Sequence, residues 1–100
     1  MDKIIKETVD KIRTLGVVDI YDGSVNRLSE WIEDAESFEA MSYGRGGSRW
    51  TQEQEDLFVE ARDILTQIGH LSPGGCWILD HSKVIRKDNR WVIPVTEMRA

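Results

Sequence analysis

Cysteine occurs once in this chain, at Cys76, and proline twice, at Pro73 and Pro94. A lone cysteine excludes an internal disulfide and any zinc site built from several thiolates, and a reducing compartment is the simpler expectation. No run of 18 apolar residues exists, and the opening MDKIIKETVDK mixes charges from residue 2 onward. Neither a membrane-spanning helix nor a secretory leader is therefore expected, and the sequence reads as a soluble cytoplasmic protein. There is no internal repeat and no linker that divides the chain, so the 100 residues are expected to form one domain around one core.

What is present is charge, unevenly placed. The formal net charge is −5, but residues 16–63 alone sum to −8, residues 1–15 to +1 and residues 64–100 to +2. Such segregation speaks to association and steering, not to fold.

The most legible element is WTQEQEDLFVEARDILTQIG, residues 50–69. Thr51 with Gln54 three residues later is a capping-box pattern, and Leu57, Phe58, Ala61, Ile64, Leu65 and Ile68 recur at three- and four-residue steps. The spacing predicts a helix over 51–69, with Gly69 as a left-handed stop. A second helix is expected over 2–15, its stripe made by Ile5, Val9 and Ile12, with Ile4 and Leu15 at the edges and Gly16 as the stop. Lys3 with Glu7, Lys6 with Asp10 and Glu7 with Lys11 stand four apart with opposite sign, each pair worth a few tenths of a kcal/mol. A third helix is expected over 24–41, capped by Ser24, with Val25, Leu28, Trp31, Ile32, Ala35 and Phe38 inward.

Val17 to Tyr21 is short and β-branched, is closed by Asp22-Gly23, and reads as a strand that needs a carboxy-terminal partner. SYGRGGSR, residues 42–49, reads as a glycine-rich connection, and residues 70–75 as a second loop around Pro73-Gly74. From Cys76 onward the texture is strand-like, with antiparallel strands expected over 76–80, 83–87 and 90–95 and the last two joined as a hairpin at Asp88-Asn89. Alternation should turn Trp91, Ile93 and Val95 toward the helices, and Pro94 should mark a sheet edge or a strand end. The fold class is α+β, three amphipathic helices packed on a small antiparallel sheet formed mainly by the carboxy-terminal strands.

Candidate chemistry is sparse. His70, Cys76, Asp80 and His81 could supply metal ligands, but there is one thiolate and Asp80 and His81 are adjacent. Adjacent strand residues point to opposite faces, so a converging ligand set is not expected, nor is any metal or cofactor. The same residues could make Cys76 a nucleophile with a histidine base, yet a cysteine at the head of an apolar strand is more often a small buried hydrophobe. Gly44, Gly46 and Gly47 lead into a helix, but the lysine and hydroxyl of a phosphate loop do not follow them. Tyr43, Arg45, Arg49 and Trp50 mix cations with aromatics, the pairing that stacks on bases and neutralises phosphate, but the acids from Glu53 onward adjoin them. The opening WTQEQED resembles the first helix of Myb-like DNA-binding repeats; the later spaced tryptophans and the basic recognition helix are missing, and no family is assigned.

No catalytic constellation survives, so a non-enzymatic protein-binding role is the expectation. The contacts expected are Glu30, Glu33, Asp34, Glu36, Glu39, Glu53, Glu55, Asp56, Glu60 and Asp63, an acidic helical face that meets a protein with a basic surface. The glycine-rich connection at 42–49 is expected to order on binding. Size and makeup suit a phage or mobile-element accessory protein that inhibits or redirects a host nucleic-acid-processing protein. The competing reading is a winged-helix-like DNA-binding protein whose basic hairpin tip, Arg86, Lys87 and Arg90, contacts the duplex. Because the helix ahead of that hairpin is acidic, nucleic acid is not the expected direct ligand.

Overall fold

The computed structural model describes the backbone of residues 2–41 and 51–96, and the side-chain environments of residues 3–35 and 51–96. In chain order it comprises α1 (Asp2–Leu15), β1 (Val17–Asp19), α2 (Ser24–Met41), α3 (Gln52–Ile68), β2 (Gly69–Leu71), β3 (Trp77–Leu79), a short 3-10 turn at His81–Lys83, β4 (Ile85–Lys87) and β5 (Arg90–Pro94). The architecture is α+β, with three helices and small antiparallel sheets drawn mostly from the carboxy-terminal half. No described helix is long and apolar enough to cross a membrane.

The helices form where periodicity places them. Ile5, Val9 and Ile12 of α1 are buried, as are Leu28, Ile32 and Ala35 of α2 and Phe58, Ala61, Ile64, Leu65 and Ile68 of α3. Together with Val18, Ile93 and Val95 they make one apolar cluster. Ile4 and Leu15 stand about half exposed at the edges of the α1 stripe, as expected. Gly16 ends α1 in the left-handed region, at φ +73°, where its N–H reaches the Ile12 carbonyl at 2.8 Å. The start of α2 differs from the expectation. Ser24 is buried, and the Asp22 carboxylate accepts its N–H at 2.9 Å, so Asp22 satisfies the first turn from outside it.

The capping box of α3 is present in both directions: the Gln54 N–H donates to Thr51 Oγ1 at 3.1 Å and the Thr51 N–H to Gln54 Oε1 at 3.0 Å. Its other end overturns an expectation. Gly69 is extended, at φ −175°, and its N–H caps the Leu65 carbonyl. The chain runs straight from α3 into β2, within what reads in sequence as the loop 70–75. Glycine is required there by closeness, since a Cβ at Gly69 would lie 2.1 Å from the Ile78 carbonyl oxygen of β3.

The carboxy-terminal strands do not form one sheet. β2 and β3 pair with each other, Gly69 opposite Leu79, while β1, β5 and β4 form a separate sheet in that order. The strand at 17–19 finds its partner in β5, with Val17 opposite Pro94 and Val18 opposite Ile93. Pro94 thus ends a central strand, where the missing donor costs least. β4 and β5 turn over two residues, Asp88 at φ 52° and Asn89 at φ 63°, the left-handed pair that matches strand twist in a tight hairpin. Ile93 and Val95 pack inward as alternation requires, but Trp91, expected on the same inward row, stays 42% exposed.

Polar ties fix the layers to each other. Arg13 of α1 pairs with Asp63 of α3 at 2.9 Å and donates to the Thr96 carbonyl at 3.2 Å. The Gln67 side chain of α3 grips Thr96 from both sides, donating to its carbonyl and accepting its N–H at 2.7 Å. Lys83 caps the exposed Gln67 carbonyl at the end of α3, at 2.9 Å.

Candidate functional site

Two groups of charged side chains stand toward opposite ends of α1. At its amino-terminal end, α1 and α3 border a cleft of about 550 Å³, lined by Lys3, Lys6, Val9 and Asp10 on one wall and by Thr51, Glu53, Gln54, Asp56, Leu57 and Glu60 on the other. Val9 and Leu57 give it an apolar floor. The rim carries four carboxylates against two ammonium groups.

This splits the expected acidic face. Helical spacing puts Glu53, Asp56, Glu60 and Asp63 on the α1 flank of α3, and Glu55 on the opposite flank near Arg62. Glu53 and Asp56 are exposed and Glu60 is half-buried in the cleft wall. Asp63 is committed to Arg13, its side chain only 11% exposed. On α2, Glu30 and Asp34 are exposed and Glu33 is half-buried, while the side chains of Glu36 and Glu39 lie outside the described residues. So do the connection at 42–49 and Trp50.

The α1 wall of the cleft has no counterpart in the sequence reading. In sequence Lys3, Lys6 and Asp10 read as members of intrahelical pairs, whereas the ion pairs that α1 makes among the described residues lie further along it and run to other parts of the chain, Lys11 to Asp22 at 3.5 Å and Arg13 to Asp63. The four-residue charge spacing was the signal available, and it is equally compatible with partners on another helix. Burial alone would raise the Asp22 carboxyl, but the Ser24 hydrogen bonds and the Lys11 ammonium outweigh it and hold the group below its ordinary value.

The second pole is the β4–β5 hairpin. Lys87 stands opposite Arg90, and Arg86 opposite Trp91, so the two pairs occupy opposite faces of the ribbon. The Arg86 guanidinium lies 4.9 Å from the centre of the Trp91 ring. Arg86, Lys87 and Arg90 are exposed, and among the described residues none of them is in an ion pair. Arg90 lies near Lys11, Leu15, Asp19 and Asp22, at the carboxy-terminal end of α1.

The residues considered for cysteine and metal chemistry are scattered along the β2–β3 hairpin and the turn after it. Cys76 is exposed, against the expectation of burial, because it sits in the turn where its N–H meets Ser72 Oγ at 3.2 Å. Asp80 is held below its ordinary carboxylate range first by hydrogen bonds from the Ser82 hydroxyl and N–H, with Lys83 and His70 adding to them. His70 lies on β2 opposite Ile78, and His81 opens the 3-10 turn. No three metal-capable side chains cluster among the described residues. The chain matches no known family model, no curated protein and no solved structure.

Proposed function

We propose that this chain is a non-enzymatic protein-binding modulator that docks a basic segment of a partner protein against its acidic pole. The observation that carries the reading is the α1–α3 cleft, whose apolar floor of Val9 and Leu57 lies beneath the carboxylates of Asp10, Glu53, Asp56 and Glu60. Carboxylates above an apolar floor suit a lysine or arginine side chain, which buries its methylene stem and keeps its charged head among acids. The exposed Glu30 and Asp34 extend negative charge onto α2 and favour steering of a basic surface. A nucleic-acid-processing protein, whose working surface is basic, is the class of partner that fits, and a phage or mobile-element accessory protein is the kind of chain that would exploit it.

Affinity capture from nuclease-treated cell extract, with wild-type protein and the Glu53→Lys, Asp56→Lys variant, tests this. The expected result is a basic protein retained by the wild type, lost by the variant and released by added salt. Capture that ignores salt, or that the variant reproduces, overturns it.

One observation favours the second reading. Apart from the β2–β3 hairpin and the 3-10 turn inserted after α3, the order α1, β1, α2, α3 and terminal hairpin, with β1 paired to β5, resembles that of a winged-helix domain. A fold does not carry its function with it, and α3, which in that reading would be the groove-reading helix, carries Glu53, Glu55, Asp56, Glu60 and Asp63 against Arg62. Winged-helix DNA binding would require duplex DNA to be retained, and alanine at Arg86, Lys87 and Arg90 to abolish retention.

A further inference from the structure

We propose that the β4–β5 hairpin is a binding ridge for single-stranded nucleic acid, with Arg86, Lys87 and Arg90 holding phosphates and Trp91 receiving a base. The inference stands apart from the acidic pole and does not rest on it.

Three observations carry it. The first is that the cations of this ridge are available. Lys11 and Arg13 are consumed in ion pairs and Lys83 in capping α3, whereas Arg86, Lys87 and Arg90 are exposed and unpaired among the described residues. The second is Trp91. It stands on the inward-facing row of β5, yet it is 42% exposed where Ile93 and Val95 of the same row are buried. The Arg86 guanidinium lies over one face of this exposed indole, 4.9 Å from its centre, and a base that takes its place on the ring leaves Arg86 free to reach the adjoining phosphate.

The third is the place of the α3 acids. Glu53 and Asp56 share the cleft with Lys3, whereas Arg90 lies beside Leu15, roughly 18 Å from Lys3 along the helix and beyond the Debye length of about 8 Å at physiological salt. Asp10, Asp19 and Asp22 lie closer and confine the basic area to the hairpin itself.

Single-stranded ligand is favoured over duplex by the layout of the cations. Lys87 and Arg90 lie on one face of the ribbon and Arg86 with Trp91 on the other. A flexible strand can wrap the ridge and meet both faces, and its unstacked bases are free to reach the indole. A rigid duplex meets one face at a time and keeps its bases stacked. Asp19 and Asp22 beside Arg90, and Asp88 at the tip, also bound the basic area too closely for a broad duplex footprint.

Fluorescence anisotropy of a labelled oligothymidylate at low salt tests the proposal. Binding is expected, with a log–log salt slope of about −2 for three neutralised phosphates on a single strand. The triple variant Arg86→Ala, Lys87→Ala, Arg90→Ala should abolish it. Trp91→Leu should weaken it about tenfold, while Trp91→Phe keeps a stacking ring and most of the affinity. Absence of binding at low salt, or equal binding by the triple variant, overturns the proposal. So does a duplex of the same length that binds as tightly, or a polyglutamate that displaces the oligonucleotide as effectively, since either removes the role of an unstacked base.

Discussion

At the scale of single residues, Gly69 shows how a conclusion can be right for the wrong reason. In sequence it is a helix stop, and in the structure it is one, but its φ of −175° is open to any residue. What excludes a side chain is the Ile78 carbonyl returning over it, 2.1 Å from where a Cβ would sit. A glycine kept only for its freedom at an ordinary φ gains stability on replacement by alanine. Here the opposite is expected. Gly69→Ala should lower stability by about 3 kcal/mol, the range of an overpacked site, read as a fall in urea midpoint with the slope unchanged. Asp22 offers a second test. Its folded value lies below 3.8, so the stability its charge contributes is complete above that unfolded value and is lost as pH falls through the lower folded one. Asp22→Asn should therefore cost about 1 kcal/mol at neutral pH, and the gap from wild type should close on strong acidification. Thermal unfolding of both proteins across the acid range measures it. The Gly69 role depends on what another part of the chain brings alongside, whereas that of Asp22 rests first on Ser24, two residues on, and only then on Lys11 of α1.

At the scale of elements, the helices were legible and the strand pairings only partly so. Stripes such as Ile5, Val9 and Ile12 repeat at helical spacing and are locally determined, and the Thr51–Gln54 box is decided by residues three apart. Strands of three residues carry no such redundancy. Trp77 to Leu79 could pair with any neighbour of matching length, and only the direct run of α3 into β2 makes Gly69–Leu71 its partner. The exception is the β4–β5 hairpin, where Asp88-Asn89 fixes a two-residue connection from sequence alone. Because Asn89 sits at φ 63°, Asn89→Gly should stabilise the protein by about 0.5 kcal/mol, a rise of about 3 °C in Tm, whereas Asn89→Val should lower it. A fall in Tm on introducing glycine would show that the turn is held by something other than its backbone preference.

At the scale of the whole molecule, the charge layout was visible as a difference between segments, but its geometry was not. Summing residues suggests one acidic face shared by α2 and α3. Packing instead turns four of the α3 acids toward α1, withdraws Asp63 into a pair with Arg13, and leaves Glu53, Asp56 and Glu60 beside lysines that are 50 residues distant in sequence. Which carboxylates face solvent is a property of helix neighbours, and no single helix encodes its neighbour. The hairpin cations were legible as a cluster, while their division between two faces came from the register of β4 on β5.

The pairing of β1 with β5 also bears on how the molecule comes to be folded. Val18 closes against Ile93, Gly16 against Val95 and Arg13 against Thr96, so β1 can find its place only after residues about 75 positions further on have been made. During synthesis the helices emerge first with apolar stripes and little to cover them, and β5, the strand that pairs with β1, follows all three. Late, long-range closure of this kind slows folding and makes it all-or-none, so that an interrupted chain gains almost none of the finished sheet.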